Sequence, residues 1–79
     1  MRVPSNMSEQ EVIDTITKVS DKLSNKYTFA FYAVEDIKQE AFIIGMEALE
    51  RYDESKPLEN FLFIHIANRL KNFKRDNYF

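Results

Sequence analysis

A single glycine, Gly45, and two prolines, Pro4 and Pro57, are the only residues of those two types among 79. Gly and Pro are the strongest local punctuators of a chain. A chain with so few of them is built from long elements joined by few tight turns, and that means helices. There is no Cys, which removes a disulfide framework and Cys-ligated zinc, the common staples of small folds. His65 stands alone, so a His-cluster metal site is also excluded. At this length the chain buries only about 60% of the surface its unfolded form exposes, and helix packing must carry nearly all of its stability.

The helices can be placed from their signals. Residues 1–7 read as a flexible lead-in, and 8–79 as a single helical domain. Ser8 with Glu11 fits a capping box ahead of an apolar run, and Val12, Ile16, Val19 and Leu23 recur at helical spacing. This first helix is predicted to reach about Asn25. The stretch "YTFAFYAV", Tyr27 to Val34, alternates like a strand but has no partner strand in the chain. An aromatic-filled connection, or a short helical turn that plugs the core, is the better expectation. A second helix is predicted from Val34 to about Tyr52, with Glu35 and Asp36 favouring its N-terminal dipole. "DESKP" is the turn, Pro57 suits a first-turn position, and a third helix runs from Leu58 to about Arg75 before a frayed "DNYF".

Placing residues about 100° apart gives the second helix a broad apolar arc. Ile44, Ile37, Ala48, Ala41, Tyr52, Gly45, Leu49, Phe42 and Met46 fill it, with Lys38. So wide an arc makes this helix central, in contact with both others, and Gly45 with its small neighbours Ala41 and Ala48 allows close approach. The remaining arc holds Gln39, Glu50, Asp36, Glu47, Glu40 and Arg51, with the branched apolar Ile43 among them. It reads either as a solvated face or as a docking surface with an apolar anchor for a basic partner. On the third helix Leu62, Phe73, Ile66, Leu70, Phe63 and Ala67 form the core arc. Opposite lies a stripe of Phe61, His65, Asn68, Asn72 and Arg75, flanked by Arg69, Lys71 and Lys74. These are groups that stack on bases, bond base edges and neutralise phosphates, although the same residues suit a Phe61 folded onto the core among solvated polar groups.

Charge follows the faces. Residues 1–34 carry four Lys/Arg and four Asp/Glu; residues 35–60 carry three against eight; residues 61–79 carry four against one. The net values of zero, −5 and +3 sum to the chain's −2. A net-negative chain is a poor autonomous nucleic-acid binder, but this one has an acidic middle and a basic end. No apolar run nears the ~18 residues of a spanning helix and no signal-peptide core is present, so a cytoplasmic protein is expected.

These residues resemble a known family. "DIKQEAFIIGMEALERYD" is similar to the central helix of region 2 of the bacterial sigma-70 superfamily, with its pattern D-L-x-Q-E-x-x-x-G-L-x-x-A-x-x-x-F-D. Asp36, Gln39, Glu40, Ala48, Tyr52 and Asp53 fall on its key positions, while Gly45 lies one place late. "FLFIHIANRLKNFKR" resembles the aromatic and basic helix that follows, and "LSNKYTFAFY" looks like the matching stretch of the reduced late-transcription factors of large tailed phages. The resemblance spans about Leu23 to Arg75. It implies an all-α, three-helix region 2-like bundle. It further implies that Asp36, Gln39, Glu40, Ile43, Met46 and Glu47 contact the clamp helices of the polymerase β′-type subunit. Met46, at the border of the wheel's arc, would equally suit the core. Phe61, His65, Asn68, Arg69, Asn72 and Arg75 would then hold a −10-type promoter element, with Lys71 and Lys74 on phosphates. The family's Trp pair is missing, and Phe61 is favoured over Phe63 as the stacking group because Phe63 lies on the core arc.

An interaction module, such as a co-activator or sigma mimic that binds polymerase without touching DNA, fits the same residues. Exposure of Asn68, Arg69, Asn72 and Arg75 on one side separates the two readings. Asp36, Glu40 and Glu47 at i, i+4 and i+11 make no metal site without a second helix of ligands. No metal, cofactor or enzymatic activity is expected. Nothing resembles the helix-turn-helix that reads the −35 element, and no apolar-acidic tail follows "KRDNYF". The chain is therefore expected to be a region 2 piece, or to reach a sliding clamp or co-activator through regions outside these residues.

Overall fold

The structure is a computed structural model. It describes residues 3–27 and 33–78, with side chains described as far as Asn72. Three helices are present: α1 (Glu9–Lys26), α2 (Val34–Ala48) and α3 (Leu58–Tyr78), with a 3-10 turn, Leu49–Arg51, closing α2. No strand occurs among the described residues. The fold is thus the all-α bundle expected. The "YTFAFYAV" expectation falls on 28–32 for the most part and lies outside the described residues.

α1 starts where its capping box puts it. The Glu11 backbone N–H donates to Ser8 Oγ at 3.1 Å, and the Ser8 N–H donates to Glu11 Oε1 at 3.1 Å. Two of the helix's orphan donors are satisfied by two residues. Its stripe of Val12, Ile16, Val19 and Leu23 is fully buried. These side chains meet Ile37, Ala41, Ile44, Ala48 and Leu49 of the α2 segment and Leu58, Leu62, Ile66 and Leu70 of α3 in one core.

α2 is the central element, and Gly45 is the reason it can be. A methyl group at Gly45 would lie 2.9 Å from Ile16 Cγ2 and 3.2 Å from Ile66 Cδ1. Both neighbouring helices therefore press against the same bare stretch of α2 backbone. The helix tightens into the 3-10 turn at Leu49, earlier than the predicted end at Tyr52. Tyr52 stays buried, and its hydroxyl donates to the Lys56 carbonyl, which pins the turn that launches α3. Asp53 Oδ1 accepts from the Ser55 N–H at 3.0 Å inside that turn, and this bond holds the Asp53 carboxyl below its ordinary pKa.

Part of the lead-in touches the bundle: Pro4 is buried, Met7 lies against the core, and Ser5 bonds Glu54 Oε1 through both its N–H (3.1 Å) and its hydroxyl (2.8 Å). Two expectations change. α3 continues to Tyr78 instead of fraying after Arg75. Phe63, assigned to the core arc, is 37% exposed. Glu59, one turn earlier on the same edge, is held by Lys18 (3.0 Å) and Lys22 (3.9 Å) of α1. Polar side chains, not a packed apolar face, thus border that edge of α3. Phe73 lies beyond the described side chains.

Candidate functional site

The exposed arc of α2 is acidic with an apolar centre. Ile43 is 52% exposed, and Met46, left open between core and surface by the sequence, is 37% exposed. Asp36, Gln39 and Glu47 are exposed and Glu40 is half-buried. Asp36, Glu40 and Glu47 make no ion pair among the described residues, whereas the acidic side chains outside this arc are partly spent: Asp21 pairs with Lys38 at 2.6 Å, and Glu59 with the two lysines of α1. The Lys18 ammonium lowers the Glu59 pKa first by its hydrogen bond and then by its charge. The carboxylates of the α2 arc thus retain their charge for a partner.

The exposed arc of α3 has a different character. Asn68, Arg69, Lys71 and Asn72 are exposed, His65 is half-buried, and Lys74 and Arg75 lie beyond the described side chains. Neither Arg69 nor Lys71 pairs with the acidic arc among the described residues. For Phe61 the sequence left a free stacking ring and a ring folded onto the core both open. Phe61 is half-buried, with its ring tilted against Tyr52 at 5.1 Å and stacked on His65 at 5.9 Å. The cause is the turn after α2, which brings Tyr52 over the start of α3 on that side.

One face of Phe61 still opens on a cleft of about 400 Å³ lined by Lys56, Pro57, Asn60, Phe61, Ile64, His65 and Asn68. Ile64, 62% exposed, is the most exposed large apolar side chain described. Sequence reasoning passed over it, although the wheel contained the signal: at about 100° per residue Ile64 falls beyond Asn68 from Phe61, nearly opposite the core residue Ile66. Asn60, Lys56 and Pro57 were also missed, because they border the cleft only through the bend of the turn.

His65 sits where the two arcs approach each other. Burial pushes its imidazole below the ordinary pKa, the Arg69 and Arg51 guanidiniums push it further, and Glu47 opposes them. No group of three or more acidic, His or Cys side chains among the described residues is placed to hold a metal ion. No helix among them is long and apolar enough to cross a membrane.

With this geometry in hand, comparison with known families is decisive. The family described as Sigma-70 region 2 matches residues 22–78. The chain belongs to the sigma-70 region 2 family. The matched span takes in the end of α1, all of α2, the turn and α3, and so contains both exposed arcs. The first three turns of α1, which supply Val12, Ile16 and Val19 to the core, lie outside it. Membership brings a sigma-factor-like role tied to RNA polymerase and promoter DNA. Neither a curated protein nor a solved structure matches the chain.

Proposed function

We propose that this sigma-70 region 2 domain docks on the clamp helices of the polymerase β′-type subunit through the α2 arc, and that α3 then engages a −10-type promoter element. The observation that carries the reading is Ile43: a branched apolar side chain, 52% exposed, in a ring of unpaired carboxylates. An apolar anchor rimmed by charge is the anatomy of an interaction hot spot, and carboxylates select a basic partner. Asp36, Gln39, Glu40, Met46 and Glu47 complete the surface.

On α3, Asn68, Arg69, Lys71 and Asn72 face solvent together, which favours a DNA-reading domain over a module that binds polymerase alone. The cleft beside Phe61, with Ile64, His65 and Asn60, supplies apolar and amide groups suited to an unstacked base. Lys74 and Arg75 would extend the phosphate contacts. The domain performs no chemistry of its own in this reading. Its similarity to the reduced late-transcription factors of large phages points to late phage promoters read in the host cytoplasm, with a sliding clamp or co-activator reached through other regions.

The test is capture of bacterial core polymerase by the wild-type chain and by Ile43→Asp combined with Glu40→Lys. Loss of a hot spot costs about 2 kcal/mol or more, so affinity should fall more than tenfold. Undiminished capture would sink the docking surface. Open-complex formation by the assembled holoenzyme tests α3: Arg69→Ala with Asn72→Ala should impair it while leaving polymerase capture intact. An unimpaired open complex would favour the interaction-only module.

A further inference from the structure

Where the 3-10 turn after α2 meets α3, Glu47, Ala48, Arg51, His65 and Arg69 line a small hollow of about 100 Å³. Arg51 comes from the 3-10 turn and Arg69 from α3, so two separate elements contribute an arginine to its lining. Both residues are exposed, and neither makes an ion pair or hydrogen bond among the described residues. Among the described residues Glu47 is the only carboxylate on the rim, and it makes no ion pair with them. The imidazole of His65, which lines the same hollow, feels all three charges.

Two cations held together around a hollow, with a single unbonded carboxylate nearby, are electrostatically incomplete. The group that completes them is a compact polyvalent anion. Guanidinium forks match the oxygens of a phosphate bidentately, and a neighbouring imidazole adds a third donor. We propose that Arg51, Arg69 and His65 form a phosphate-binding pocket, with Glu47 as a built-in counter-charge that keeps it weak in the free chain. Arg51 therefore acts apart from the acidic arc with which its wheel position grouped it. Glu47 belongs to both regions, so a basic partner that engages Glu47 on the α2 arc also relieves the field opposing the phosphate. The pocket itself does not depend on that docking, and its test involves neither Ile43 nor Glu40.

The chain is titrated with inorganic phosphate while the side-chain Nε–Hε signals of Arg51 and Arg69 and the ring signals of His65 are followed by NMR. Saturable shifts of both arginines are expected. Glu47→Gln should tighten binding about twofold to fivefold, the range of an exposed charge pair. Arg51→Ala and Arg69→Ala should each weaken it about tenfold, the worth of one charge-assisted bond. Circular dichroism confirms that these exposed replacements leave the helices intact. A single-stranded oligodeoxynucleotide that displaces phosphate identifies the ligand as a nucleic-acid backbone; phosphate bound without displacement identifies a free phosphorylated ligand, and both support the pocket. Absence of saturable shifts in the wild type and in Glu47→Gln would overturn it, as would equal affinity after either arginine is removed. Equal affinity in Glu47→Gln and the wild type would overturn the counter-charge.

Discussion

Replacing Gly45 by alanine sets two effects of opposite sign against each other. Gly45 lies inside α2 with ordinary helical backbone, so alanine should stabilise the helix by about 1 kcal/mol through lost unfolded-state freedom and better propensity. Against this stands the new methyl group, 2.9 Å from Ile16 Cγ2 and 3.2 Å from Ile66 Cδ1. The second contact is soft, because Cδ1 is the far end of a flexible side chain. The first is hard. Cγ2 sits on the β-branch of a fully buried residue whose χ1 has one good rotamer in a helix. Carbon atoms pack at about 3.5 Å or more, so α1 must retreat by roughly 3.5 − 2.9 = 0.6 Å. That retreat loosens Val12 and Val19 as well. Overpacking of this kind costs about 1–3 kcal/mol, which leaves a net destabilisation near 1 kcal/mol. In a domain of this size the thermal midpoint should fall by about 4–8 °C, read by far-UV circular dichroism and checked by urea unfolding. Gln39→Gly, exposed on the same helix, is the control and should lose about 0.5–1 kcal/mol by propensity alone. A Gly45→Ala variant more stable than the wild type would refute the account of close helix approach.

The other predictions concern single side chains. Ile43→Asp should change unfolding free energy by no more than about 0.5 kcal/mol, since the residue is 52% exposed; a loss well above that in urea denaturation would make it a core residue instead of a surface anchor. Ser20→Ala should stabilise the fold by about 1 kcal/mol in the same assay, because the Ser20 hydroxyl is fully buried without a partner and alanine is the better helix former; a destabilised variant would mean the hydroxyl is satisfied in solution. His65 should make stability depend on pH. Its folded pKa is below 6.5, so between that lowered value and 6.5 the unfolded chain binds more protons than the folded one. Stability should therefore be present in full above about pH 6.5 and be lost as pH falls through this window. His65→Gln should flatten the profile there, and an unchanged profile would disprove the assignment.

What the sequence disclosed, it disclosed through local rules. The Ser8–Glu11 capping box and the α1 stripe depend on spacings within one helix, and both form as read. Ile43 was identifiable for the same reason: it is out of phase with its own helix. The contacts that escaped are set by other parts of the chain. Phe61 is half-buried because Tyr52 covers its side of α3, whereas Phe63, on the arc the wheel gave to the core, is 37% exposed. Ser5 meets Glu54 across 49 positions of sequence, a pairing that no periodicity encodes. Ile64 was legible but overlooked, since attention to polar groups on that arc concealed an apolar residue at its edge. The Arg51–Arg69 hollow was not legible, because it joins residues 18 positions apart that come from two different elements.

The net charge of −2 conceals how the charges are apportioned. Exposed pairs such as Lys18–Glu59 and Lys38–Asp21 contribute little stability each, because solvent screens them, but they cancel charge at the seams between helices. What remains uncancelled is segregated: carboxylates on the arc of α2, and Arg69 and Lys71 on that of α3. At physiological salt, fields between exposed charges fade over about 8 Å, so most of the acidic arc is screened from a ligand on the opposite arc. Glu47 is the exception, because it shares a hollow with Arg51 and Arg69. For an anion at that hollow, removing the Glu47 charge should therefore matter more than removing Asp36, at the far end of the same helix.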